Sequence, residues 1–116
     1  RRLSSAASDV YKRQCYLSYQ PTESVNLIKN EKVQKSLDRN DVWLSATPQV
    51  FCLEDLLSAL SKANEDEKVF TDEVSAMLHY FNKDISIYPC NKTNIKVTKK
   101  EDLETVEQYL KLAGRI

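Results

Sequence analysis

A single glycine, Gly114, in 116 residues is the tightest constraint this sequence places on its own fold. Glycine ordinarily makes up about 7% of a chain. It supplies the tight turns and the bare backbone with which loops wrap a phosphate. A chain with one glycine, set near its last residue, builds no Gly-rich phosphate cradle. It does not hold a nucleoside triphosphate in that way.

The length suffices for one small domain, burying about 60–70% of the surface its unfolded chain would expose. Basic and acidic side chains balance at 17 each, so no bulk attraction to nucleic acid or to an anionic membrane is implied. No apolar run nears the roughly 18 residues of a membrane span, and no signal-peptide pattern opens the chain. The reading is a soluble, cytoplasmic protein. Cys15, Cys52 and Cys90 are odd in number and widely spaced, and His79 is the only histidine. They are read as reduced, incidental thiols rather than as a zinc site.

Residues 1–14, RRLSSAASDVYKRQ, differ in composition from the rest of the chain. A basic, serine-bearing start fits a transit peptide, and it also resembles translated adaptor sequence; the second reading is adopted and the segment set aside. This removes four basic residues and one acid, leaving 13 and 16, a net charge near −3. Residues 15–116 then form the protein proper.

Ser24 to Ile28 and Lys32 to Leu37 are strand-like runs joined by Lys29-Asn30-Glu31, and asparagine tolerates the positive φ of a tight hairpin turn. An isolated hairpin is barely stable in water, so it needs a surface to lie on, such as a second subunit. Asp38 to Gln49 reads as irregular chain around a buried Trp43. Leu53, Leu56, Leu57 and Leu60 then mark one face of a helix that fades at Asn64 to Lys68. A second helix is expected from an N-cap at Thr71, with Val74, Met77, Leu78 and Phe81 as its buried stripe. Ile85 to Tyr88 reads as a strand ended by Pro89, and Ile95 to Val97 as another. Thr98 and Glu101 form a capping box for a last helix lined by Leu103, Val106, Leu110 and Ala113, with Gly114 as its C-terminal cap. The class is mixed α/β, with too few strands to close a sheet.

Few residues suggest chemistry by themselves. Arg39, Thr71 and Lys96 lie at element edges, where they can meet an anion. Each also has an ordinary reading: an ion pair with Asp38, a plain N-cap, and a solvated strand lysine. His79 has no nucleophile at a recognisable spacing. Asn91-Lys92-Thr93 matches a glycosylation sequon by chance. Glu65-Asp66-Glu67 reads as a solvated linker with no metal role.

Several phrases in order change the weighting. They are Leu37-Asp38-Arg39-Asn40, Trp43, Ala46-Thr47-Pro48-Gln49-Val50-Phe51, Thr71-Asp72-Glu73, Asn94-Ile95-Lys96-Val97-Thr98 and Glu101-Asp102-Leu103. From about Pro21 to Leu110 the chain resembles the C-terminal part of the 2-C-methyl-D-erythritol 4-phosphate cytidylyltransferases. The resemblance implies a Rossmann-like nucleotidyltransferase α/β fold, with the hairpin 24–37 as an arm that embraces a second subunit in a homodimer. It also implies transfer of CMP from CTP to the polyol phosphate in non-mevalonate isoprenoid synthesis, releasing pyrophosphate with Mg²⁺ assisting. Arg39, Thr71 and Lys96 match the family's residues for the substrate phosphate, with Thr47 a supporting contact. The family's Gly-rich CTP loop, its catalytic basic residues and its Mg²⁺ ligands have no counterpart here, so residues 15–116 alone are expected to be inactive. Asn26 stands where the family commonly carries a basic residue in the arm. A ribitol 5-phosphate cytidylyltransferase shares similar phrases and is the nearest rival; a non-catalytic α/β interaction module is the other.

Overall fold

The computed structural model describes residues 14–81 and 84–116. The adaptor-like segment up to residue 13 therefore lies outside the described residues. Gln14, its last residue, is described: its carbonyl accepts a hydrogen bond from the Ser86 N–H at 3.0 Å.

The chain runs β1 (Cys15–Tyr19), β2 (Val25–Lys29), β3 (Lys32–Leu37), a 3₁₀ turn (Arg39–Asp41), β4 (Leu44–Val50), α1 (Leu53–Glu65), α2 (Glu73–Phe81), β5 (Ser86–Pro89) and α3 (Lys100–Leu112). β1, β4 and β5 form a mixed three-stranded sheet in the order β4-β1-β5, and β2 and β3 form a separate hairpin. The expected mixed α/β class is met. Two compact units are distinguished. One takes the described residues up to Tyr16 with Pro48–Tyr88; the other takes Leu17–Thr47 and Pro89–Ile116. No helix among the described residues is long and apolar enough to cross a membrane.

The hairpin forms where the sequence places it. Asn30 at φ 50° and Glu31 at φ 62° make a two-residue loop with both residues left-handed, matching the right-handed twist of the flanking strands. Lys29 pairs with Lys32, and Ile28 with Val33. A register shift then makes Leu27 face Lys35, so one extra residue bulges from β3.

Three expectations about extended chain are corrected. Cys15–Tyr19 is a strand that the sequence reading passed over. Its buried positions, Cys15 and Ser18, are three apart and break the period of two that marks a half-buried strand. Leu44–Val50, read as irregular, is also a strand. It tolerates Pro48 because it lies at the edge of the sheet, where a missing N–H need not cost a ladder bond. Trp43, just before it, is only half-buried. Conversely, Ile95 to Val97 is not a strand. Its alternation finds no partner strand among the described residues.

The helices stand where periodicity puts them, but their faces and caps differ. On α1 the buried side chains are Ala59 and Ala63, and the expected leucine face is largely open, with Leu53 68% and Leu57 59% exposed. α1 packs against α2, and small side chains one turn apart permit close approach of two helices. Val74, Ala76 and Met77 are buried on α2, whereas Leu78 is exposed. Phe81 is half-buried beneath the Lys62 ammonium, 4.9 Å from its ring centre. The N-cap of α2 is Asp72 rather than Thr71: its Oδ1 accepts from the Ser75 N–H at 2.9 Å and the Ser75 hydroxyl at 2.8 Å.

The start of α3 is likewise held one position later than expected. Asp102, not Glu101, accepts from the Thr98 and Lys99 N–H groups, both at 2.9 Å, and from the Thr98 hydroxyl at 3.2 Å. These backbone donors hold its carboxyl below the usual carboxylate range. At the other end Gly114 is left-handed at φ 68°. Arg115 N–H reaches the Leu110 carbonyl and Gly114 N–H the Lys111 carbonyl, a Schellman closure as anticipated. α1 ends in the same way with a worse residue. Glu67 sits at φ 54° while Lys68 N–H bonds the Ala63 carbonyl and Glu67 N–H the Asn64 carbonyl. The acidic run Glu65-Asp66-Glu67 is thus a helix end, with Asp66 accepting the Tyr80 hydroxyl at 2.8 Å.

Candidate functional site

Arg39, Thr47 and Lys96 fall in one unit, and Thr71 in the other. Arg39 opens the 3₁₀ turn that comes after the hairpin, and that turn is fixed on several sides. The Asp38 carboxylate accepts the Asn40 N–H at 2.9 Å, so it caps the turn. Gln20 Nε2 donates to the Asn40 carbonyl at 2.9 Å. Arg39 Nη1 donates to the Thr22 carbonyl at 2.5 Å. The ion pair between Arg39 and Asp38 entertained from the sequence is absent among the described contacts, because the Asp38 carboxylate serves the backbone instead.

Thr22 is also met from the far side of the sequence. Lys92 Nζ donates to its hydroxyl at 2.7 Å, and that hydroxyl donates onward to Glu23 Oε1 at 3.1 Å. Lys92 Nζ lies 4.0 Å from the other Glu23 oxygen. The Glu23 carboxyl stays below the usual range, through its own backbone N–H first, then the Thr22 hydroxyl, then the Lys92 ammonium. A second link joins Asn94 Nδ2 to the Thr47 carbonyl at 2.7 Å. Lys96 stands two residues beyond Asn94, exposed, in the irregular chain before α3. Among the described residues neither Arg39 nor Lys96 has an acidic side chain at ion-pair distance.

Thr71 lies just before the Asp72 cap, its hydroxyl 3.4 Å from that of Ser75. The plain N-cap reading of Thr71 falls with the assignment of that role to Asp72. His79 sits in an exposed cluster: Lys68 Nζ lies 3.2 Å from its Nε2, and its ring meets Phe70 at a tilt and Tyr80 edge-on. Burial and the Asp66 carboxylate push the Tyr80 phenol up to about 12. No three His, Cys, Asp or Glu side chains converge among the described residues, so these residues build no metal cage. Sequence reading gave Thr22, Lys92 and Asn94 no role at the site. Thr22 and Lys92 are 70 positions apart, and no local pattern relates them.

The profile of IspD, 2-C-methyl-D-erythritol 4-phosphate cytidylyltransferase, matches residues 17–112. The enzyme so named from Petrotoga mobilis is 35% identical over 89 residues, covering 77% of this chain and 39% of that protein. The one from Vesicomyosocius okutanii is 33% identical over 94 residues, covering 81% and 38%. The chain thus spans about two fifths of the length of these curated relatives. The Francisella tularensis crystal structure of that name superposes with a TM-score of 0.72 at 30% identity, over 89% of this chain and 48% of the other. A synthase from Anaerococcus prevotii, at 24% identity, shares the fold with a TM-score of 0.75 over 85% and 46%. With the profile running from the middle of β1 to the end of α3, the chain belongs to the 2-C-methyl-D-erythritol 4-phosphate cytidylyltransferase family.

Proposed function

We propose that the complete gene product transfers the cytidylyl group of CTP to 2-C-methyl-D-erythritol 4-phosphate, and that this chain supplies the grip on the acceptor's phosphate. An acceptor oxygen forms the new bond to the α-phosphorus, the bond to the bridging oxygen breaks, and pyrophosphate leaves. One observation carries the reading. Within the family match, Arg39 and Lys96 lie in one unit without acidic partners among the described residues. A guanidinium offers a planar fork and an ammonium a point charge, a combination suited to a phosphate. Thr47 and Thr71 add hydroxyl donors on this reading. Mg²⁺ is expected to accompany CTP, and the described residues build no site for it. The hairpin, which exposes Leu27, Ile28 and Val33, is read as the arm that clasps a second subunit, since so open a hairpin is marginal alone. A cytoplasmic location goes with this reading.

The test is pyrophosphate release by the complete gene product with CTP, comparing the methylerythritol and ribitol phosphates as acceptors. Turnover with the first and little with the second is expected. Preference for ribitol 5-phosphate, or no release with either, would reject the proposal.

A further inference from the structure

We propose that Lys92 is a positioning residue: through Thr22 and Glu23 it directs the Arg39 guanidinium, an inference that rests on the phosphate role proposed for that arginine. The Arg39 fork is tied at Nη1 to the Thr22 carbonyl. The orientation of that one peptide therefore sets where the remaining N–H donors point. Thr22 and Glu23 form an exposed bend between β1 and β2, and such a bend has little to hold it by itself. Lys92 supplies the hold. Its ammonium donates to the Thr22 hydroxyl at 2.7 Å, the hydroxyl donates to Glu23 at 3.1 Å, and the second Glu23 oxygen lies 4.0 Å from the ammonium.

This closed set does two things for Arg39. It anchors the peptide that the guanidinium grips. It also engages Glu23, the carboxylate next in sequence to Thr22 and a natural competitor for Arg39. With Lys92 removed, Glu23 has lost its cation, and the arginine, bonded to the carbonyl of the residue before it, is a cation it can take up instead. The arginine would then turn from an incoming phosphate toward a carboxylate. A half-exposed hydrogen bond of this kind is worth a modest factor in binding.

The experiment uses the complete gene product and steady-state kinetics with both substrates varied. Lys92→Met is expected to raise KM for the polyol phosphate about three- to tenfold, with kcat and KM for CTP within about twofold. Adding Glu23→Gln should recover most of the loss, and Lys92→Arg should behave as wild type. Arg39→Lys is the control for the underlying reading. If it leaves KM for the polyol phosphate unchanged, the phosphate role of Arg39 fails, and this inference with it. If Arg39→Lys raises that KM and Lys92→Met does not, the phosphate role stands and the positioning role is overturned. Equal losses on both substrates with a lowered melting temperature would also overturn it, as the mark of a structural lysine.

Discussion

Replacing Glu67 by glycine should stabilise the protein, against the usual expectation that glycine near a helix weakens it. Glu67 occupies the left-handed position that ends α1, at φ 54°, with both Schellman hydrogen bonds in place. A left-handed L-residue costs about 1–2 kcal/mol from the approach of Cβ to the carbonyl oxygen, and glycine is free of it. Glycine gives back part of that gain, because its unfolded chain is more flexible by about 0.4–1 kcal/mol. The net expected is about 0.5–1 kcal/mol of stabilisation. In a folding unit of roughly 150–250 residues this is about 1–4 °C in melting temperature. Glu67→Ala is the control. It removes the same charge beside Glu65 and Asp66 but keeps the Cβ, so it gains only the relief of charge at the helix end and lacks the gain from the left-handed position. Thermal melts of the complete gene product and both variants by circular dichroism decide the matter. A melting temperature for Glu67→Gly at or below that of Glu67→Ala would refute the left-handed closure.

The same logic applies to the hairpin, where Glu31→Gly completes an Asn-Gly loop at φ 62° and should raise the melting temperature by a similar amount; a fall would mean that Glu31 is not left-handed. Asp102 contributes stability that is present above its ordinary value of about 3.9 and is lost as pH falls through its depressed folded value. Asp102→Asn should therefore lose stability at pH 7 and show a smaller loss than wild type on going to pH 3; an unchanged acid limb counts against the cap. Tyr80 runs the other way, since its folded phenol is raised from 10.0 to about 12. Its contribution is complete below pH 10 and vanishes as pH rises through about 12. In an ultraviolet titration the late ionisation of Tyr80, identified by its loss in Tyr80→Phe, should move to lower pH in Asp66→Asn, and no shift would break the Tyr80–Asp66 link.

How far the sequence could be read depended on how local each determinant is. The hairpin turn was visible because Asn30 carries its own backbone preference, and Gly114 marked the end of α3 for the same reason. The caps of α2 and α3 were placed one residue off, because Thr71-Asp72 and Glu101-Asp102 each offer two adjacent candidates and only the backbone geometry chooses between them. β1 and β4 were missed because sheet pairing is not local, and both lack clean alternation. The leucines of α1 announced an apolar face, but among the described residues Leu53 and Leu57 stay mostly exposed. Periodicity shows that a face is apolar without showing what lies on it. The candidate site was read from ordered phrases. Its supports, Thr22 with Lys92 and Thr47 with Asn94, join positions that share no local signal.

The most direct measurement is the pair of Michaelis constants for Arg39→Ala and Lys96→Ala in the complete gene product, with CTP and 2-C-methyl-D-erythritol 4-phosphate varied separately. A hydrogen bond to a charged group is worth about 1.5–3 kcal/mol, so each variant should raise KM for the polyol phosphate by about 10- to 150-fold. KM for CTP should stay within about threefold, because neither side chain is assigned to the triphosphate. Losses that fall on CTP, or equally on both substrates, would contradict the assignment of this chain to the phosphate end of the acceptor.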